Sequence, residues 1–200
     1  MIDTNSTLKF QTTLNDLKFS NITIIQLTNQ KDNKVYAESI RNKEIYVKKH
    51  SYSLFVDEPG NERHAVWYKC ISILKAFNKT QLDDWIWMVD SDTYITNMNI
   101  ELHRLTSHAT KHNYHIILNK DCNNINAGSM LFRNSQLSIN FINDVWNSYG
   151  KEVALNDRWR EQRGIIIMAN KTEYKDSIFW VPQTSLNSYP FETNCRLERD

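Results

Sequence analysis

Apolar positions in this chain fall into short runs separated by longer polar stretches. "NITIIQLTN" (Asn21 to Asn29) is a β-branched run that ends in polar residues, the pattern of a buried parallel strand. "KVYAESIRNKEIYVKKH" (Lys34 to His50) lacks Gly and Pro and carries Tyr36, Ile40 and Val47 as apolar teeth, which predicts a surface helix, or two. "YSLFVD" (Tyr52 to Asp57) reads as a second strand, closed by the turn "EPGN". In "RHAVWYKCISILKAF" (Arg63 to Phe77), Val66, Cys70, Ile73, Leu74 and Phe77 share one helical face. "WIWMV" (Trp85 to Val89) is a third strand and "NYHIILNKD" (Asn113 to Asp121) a fourth. "NAGSMLFRNS" (Asn126 to Ser135) is a fifth, entered through a Gly. Leu137, Phe141, Val145 and Tyr149 recur every four residues, so they mark a helix. "REQRGIIIMAN" reads as a short buried helix, and "SIFWVPQ" (Ser177 to Gln183) as the last strand before the loop "TSLNSYP". Residues 1–20 are polar and read as an arm or a loose first helix.

Strand–helix–strand–helix–strand followed by a mixed second half predicts an α/β, Rossmann-like fold. Its sheet should be mostly parallel and flanked by helices on both faces. Ligands of such sheets bind outside the carboxyl ends of the strands. That places Thr28, Asn29, Asp57, Asp90 and Asp92 on one rim.

Two hundred residues fit one domain spanning 1–200, complete or the N-terminal part of a longer protein. A net charge of +1 offers no nucleic-acid footprint. No apolar run approaches about 18 residues and no leader is evident, so no membrane span or signal peptide is expected. Cys70, Cys122 and Cys195 are scattered, odd in number and free of Cys-x-x-Cys spacing. They read as free thiols of a reducing compartment, not as a disulfide framework or a zinc site.

Asp90 and Asp92, at the end of a strand that must be interior, project to the same side. Two carboxylates so placed repel unless a cation sits between them, and Mg²⁺ or Mn²⁺ takes such oxygen ligands. An Asx-type turn is the competing reading of Asp90-Ser91-Asp92. In "NAGSM", Gly128 permits close backbone approach to a ligand and Asn126 offers donors and an acceptor, as sugar hydroxyls need. A strand entry with a bulge would use the same residues. Glu161 and Gln162, at a helix start, suit either a sugar contact or an ordinary charged first turn. The six histidines show no metal-ligand spacing. Trp67, Trp85, Trp87 and Trp146 read as core, whereas Trp159 and Trp180 lie nearer the polar loops. There is no Gly-x-Ser-x-Gly, P-loop or Gly-x-Gly-x-x-Gly, so hydrolase, NTPase and dinucleotide readings lack a motif.

Taken in order, "HAVWYKCISIL", "WIWMVDSDTYITN", "NAGSMLFRNS", "EQ" and "VPQTSLNSYP" resemble the GT-A glycosyltransferase family of fungal α-1,2-galactosyltransferases and α-1,6-mannosyltransferase subunits. The plant xyloglucan xylosyltransferases are more distant members. The upstream "NKEIYVKKHSYSL" fits the same pattern, and the resemblance runs from about Ile22 to Pro190. It implies a GT-A fold and a retaining transferase that uses Mn²⁺ (or Mg²⁺) and a nucleotide sugar, UDP- or GDP-linked. The partner would be a glycan or glycoprotein acceptor. Asp90, Ser91 and Asp92 would be its Asp-x-Asp, with Asp90 and Asp92 holding the metal. Thr28 and Asn29 would meet the nucleotide, and Lys69 would lie near the diphosphate. Asn126, Ala127 and Gly128 would line the sugar pocket, with Gln162 and Glu161 near the anomeric carbon.

The chain departs from the family pattern in having no His after His115 to complete the metal site, and no membrane anchor. A cytoplasmic or virus-encoded enzyme, or an excised lumenal Golgi domain, would fit that. A non-catalytic nucleotide-sugar-binding module is the rival class. A metal-dependent nucleotidyltransferase is disfavoured because "QLTNQKDN" contains no Gly.

Overall fold

The computed structural model describes residues 21–30, 33–189 and 195. Strands β1 (Ile22–Leu27), β2 (Ser53–Asp57) and β3 (Trp85–Val89) lie parallel, with β1 between the other two. All five residues of β3 are buried, as expected of a strand covered on both faces. β4 (Ile116–Asp121) runs the same way, and β6 (Ser129–Arg133) runs against both β3 and β4. The two-residue strand β5 (Asn124–Ile125) turns back on the end of β4, while β7 (Ile178–Val181) pairs with β4 in parallel. The sheet order is β2-β1-β3-β6-β4, with β5 and β7 both on β4. The architecture is therefore the α/β, mostly parallel sheet expected, and its second half is mixed because β5 and β6 are reversed.

Helices cover both faces. One face packs Cys70, Ile73 and Phe77 of α2 (Tyr68–Phe77), Phe141 and Val145 of α4 (Gln136–Asn147), and Ile165 and Met168 of α5 (Arg160–Ala169). The other packs Tyr46 of α1 (Lys34–His50) and Ala109 of α3 (His103–Lys111) against Ile24, Trp87 and Leu131. Short helices α6 (Thr172–Lys175) and α7 (Gln183–Leu186) flank β7.

The structure corrects three expectations and adds one helix. Residues 34–50 form one helix, and the residues it buries are Ser39, Lys43 and Tyr46; its apolar teeth Tyr36, Ile40 and Val47 are only half buried. Residues 65–67 are a separate 3₁₀ turn, so α2 begins at Tyr68. Helix α3, not expected from the sequence, buries Thr106 and Ala109 and packs Leu105 partly buried against the core. Finally, Cys122 and Cys195 form a disulfide with their Cα atoms 4.8 Å apart, leaving Cys70 as the free thiol. The pairing spans 73 residues, and only the fold brings the end of β4 to Cys195. The predicted arm at residues 1–20 lies outside the described residues.

Candidate functional site

Register places the first site residues together. Leu27 pairs with Asp57, and Gln26 with Val89, so Thr28, Asp57 and Asp90 leave the sheet at one level. The Thr28 N–H donates to the Asp57 carbonyl at 3.0 Å. Because β6 is reversed beside β3, Ser129 pairs with Val89, and the turn before β6 lands on the same rim. There the Asp90 N–H donates to the Gly128 carbonyl at 2.9 Å.

Lys69, in the first turn of α2, joins three elements. Its buried ammonium lies 2.6 Å from Asp90 Oδ1 and 2.9 Å from Glu161 Oε1, and it donates to the Ala127 carbonyl at 3.1 Å. Burial alone would lower its pKa, but Asp90 and Glu161 outweigh that and drive it upward. Lys69 is thus a fixed cation between two carboxylates. Glu161 is buried in the first turn of α5, directly after Arg160, whose backbone is left-handed at φ 48°.

The Asn126–Gly128 turn is tightly fixed. The Gly128 N–H donates to Asn126 Oδ1 at 2.8 Å. Asn126 Nδ2 donates to Asp121 Oδ2 at 2.7 Å, and the Tyr189 hydroxyl donates to the same oxygen at 2.8 Å. The Ala127 N–H points to Gln162 Oε1 at 3.4 Å. Gly128 is needed here for space: a Cβ would sit 2.9 Å from Asp90 Oδ2 and 3.0 Å from Asn126 Oδ1.

A cleft of about 170 Å³ opens beside this constellation. Thr28, Asn29, Lys69, Asp90 and Ser91 line it, together with Tyr36. Tyr36 was legible only as a helix tooth; Pro59 and Val66, which add apolar wall, carried no signal of a site. Asn126, Ala127, Gly128, Glu161 and Gln162 reach this centre through the bonds to Asp90 and Lys69. Trp180 is 39% exposed with the Lys120 ammonium over its ring, and Trp159 is half buried beneath Arg158.

Sequence reasoning also missed the support under Asp90-Ser91-Asp92. Lys43 of α1 is buried and donates to Ser39 Oγ at 2.6 Å and to the Thr93 carbonyl at 2.8 Å. Ser39 Oγ donates to the same carbonyl at 2.7 Å, and Gln26 Nε2 to the Ser91 carbonyl at 3.3 Å. Thr93 Oγ1 closes the turn on the Asp90 carbonyl at 2.8 Å. Further along α1, Asn42 bonds both the N–H and the carbonyl of Ile95.

The donor set suits a hard divalent cation. Lys69 occupies Oδ1 of Asp90, which leaves Oδ2 in the space that Gly128 keeps open, and Asp92 is exposed beside it. Around this point two carboxylates share Lys69 and a third, Asp92, adds charge, so the carboxylates outnumber the contacting ammonium. Among the described residues the three-residue cluster with metal-ligand spacing is Asp121, Cys122 and Cys195, whose two sulfurs are bonded to each other. The histidines form no such cluster among the described residues.

The family model of the galactosyl transferase GMA12/MNN10 family matches residues 18–111 and 101–199. A probable alpha-1,2-galactosyltransferase of Schizosaccharomyces pombe is 26% identical over 190 residues, covering 77% of this chain and 54% of the relative. Glycosyltransferase 6 of Arabidopsis thaliana is 31% identical over 147 residues, covering 70% of this chain and 32% of the relative. The chain spans about half the length of the fungal relatives it matches. A crystal structure of a glycosyltransferase involved in glycosylation of the major capsid of PBCV-1 superposes with a TM-score of 0.63 at 18% identity, over 82% of each chain. At that identity the likeness establishes the fold.

Proposed function

Because the chain belongs to the galactosyl transferase GMA12/MNN10 family, we propose that it transfers a sugar from a nucleoside-diphosphate sugar to an acceptor hydroxyl. The observation that carries this is the convergence of Asp90, the Asn126–Gly128 turn and Glu161 on one buried ammonium at the sheet rim. Asp90 and Asp92 would hold Mn²⁺ or Mg²⁺, which when bound neutralises the departing diphosphate. Thr28 and Asn29, at the end of β1, meet the nucleotide, whose donor is UDP- or GDP-linked, and the apolar wall of Pro59 and Val66 receives its flat face.

Lys69 acts here by holding Asp90 and Glu161 in place, so that the metal site and the sugar site keep a fixed spacing. Asn126, Ala127 and Gly128 form the wall against which the sugar lies, with the Gln162 amide beside it. An amide is a poor nucleophile. Retention would therefore proceed on one face, the acceptor hydroxyl entering as the diphosphate leaves and giving its proton to a diphosphate oxygen. The acceptor is a glycan or glycoprotein. The Cys122–Cys195 disulfide supports the lumenal, oxidising setting over the cytoplasmic one.

Calorimetry of nucleotide-sugar binding with and without Mn²⁺ tests this, comparing Asp92→Ala with the unmodified chain. Mn²⁺-dependent binding that disappears in the variant is expected; binding unchanged by the substitution removes the metal assignment. Donor binding without turnover, with acceptors supplied, would instead support a sugar-binding module.

A further inference from the structure

Helix α1 turns a polar strip to the sheet where an apolar one would cost less. Lys43 is fully buried on that strip, yet among the described residues its ammonium donates to the Ser39 hydroxyl and the Thr93 carbonyl, both neutral. Among the described residues it forms no ion pair within 4 Å. A buried cation without a contacting carboxylate is unfavourable unless a nearby field holds it. The field here comes from Asp92 and Asp90, the charges that act on it most. Burial pulls its pKa down to about 8 against those two carboxylates, so at pH 7 the ammonium keeps its proton. The Thr93 carbonyl it binds belongs to the turn that Thr93 Oγ1 closes onto Asp90, and Gln26 holds the Ser91 carbonyl within the same turn.

We propose that Lys43 is a positioning residue that serves as the internal counter-charge of Asp90 and Asp92, holding their turn in ligand geometry and competing with the divalent cation for their field. The proposal rests on the cation reading given above. Its consequence runs against the usual effect of deleting a conserving contact: removing the charge while keeping the hydrogen bond tightens cation binding. A unit charge acting on a divalent ion at short range, after screening, gives about a tenfold change.

The experiment uses Mn²⁺ alone, titrated at pH 7 and followed by electron paramagnetic resonance of free Mn²⁺, on the unmodified chain, Lys43→Gln and Lys43→Met. Glutamine keeps a donor for the Thr93 carbonyl without the charge; methionine keeps neither. Lys43→Gln is expected to bind Mn²⁺ about tenfold tighter, and its melting temperature to rise more on Mn²⁺ addition. Lys43→Met, with its turn released, is expected to bind more weakly than Lys43→Gln. An affinity in Lys43→Gln equal to or weaker than that of the unmodified chain overturns the proposal and leaves the cation reading standing. No Mn²⁺ binding by the unmodified chain overturns both. Should Lys43→Met fail to fold, Lys43→Gln alone decides.

Discussion

Lys69→Met is the sharpest test of how the site is built. Methionine matches the lysine stem in volume but removes the ammonium from between Asp90 and Glu161. Glu161 is only 5% exposed, so its carboxylate would be left buried without its cation. Breaking a buried pair this way costs about 3–5 kcal/mol. The Ala127 carbonyl also loses its donor, a penalty on the order of 1 kcal/mol. The Asp90 side chain is 36% exposed, and water would screen much of its share. A loss near 4 kcal/mol lowers the melting temperature of a chain this size by roughly 10 °C. Glu161→Gln in the same chain replaces the stranded carboxylate with a neutral amide. The double variant Lys69→Met/Glu161→Gln should therefore melt above Lys69→Met alone, its loss falling short of the sum of the two single losses by about 1–3 kcal/mol. Thermal denaturation of the four chains reads this directly. Lys69→Met melting within about 2 °C of the unmodified chain, or a double variant that adds the two losses, would refute the reasoning.

Other consequences follow from single contacts. Gly128→Ala puts a methyl 2.9 Å from Asp90 Oδ2, and since Lys69 and the Gly128 carbonyl fix Asp90, transfer should fall about 100-fold with a stability loss of about 1–3 kcal/mol; equal transfer rates would mean that Asp90 is free to move. Cys70 is buried in α2 with its thiol pushed up to about 12 by burial, so the native chain should resist alkylation at pH 8, and Cys122→Ser/Cys195→Ser should lose about 4 kcal/mol, from the closed loop of 73 residues. Burial lowers the folded pKa of Lys43 from 10.5 to about 8. Between those values the unfolded chain holds a proton the folded chain has released, so metal-free stability should rise with pH on this account, by at most about 1.4 kcal/mol per unit, more in the unmodified chain than in Lys43→Met.

What the sequence disclosed depended on how residues meet the sheet. β3 was legible because both its faces are buried and its five residues are all apolar. Its carboxyl end, with Asp90 and Asp92, followed from that. The face of α1 was not legible, because Ser39 and Lys43 occupy the positions that face inward and mask the apolar period. Helix α3 escaped notice because its inward face is short, with Leu105, Thr106 and Ala109 set among polar residues. Lys69 was named, but its partners lie just after β3, on α5 and in the turn before β6, and no local spacing encodes a contact across 92 positions. The Cys122–Cys195 pairing was hidden for the same reason. The reversal of β6 is what brings Gly128 against Asp90, and periodicity gives no strand direction.

The most direct measurement is nucleotide release by the purified chain given a panel of UDP- and GDP-linked sugars with acceptor glycans, with Mn²⁺ and again with chelator. Release and a lengthened acceptor are expected with one donor, only with the cation, and both should be lost in Asp92→Ala. Release that is indifferent to chelator and to Asp92→Ala would contradict it.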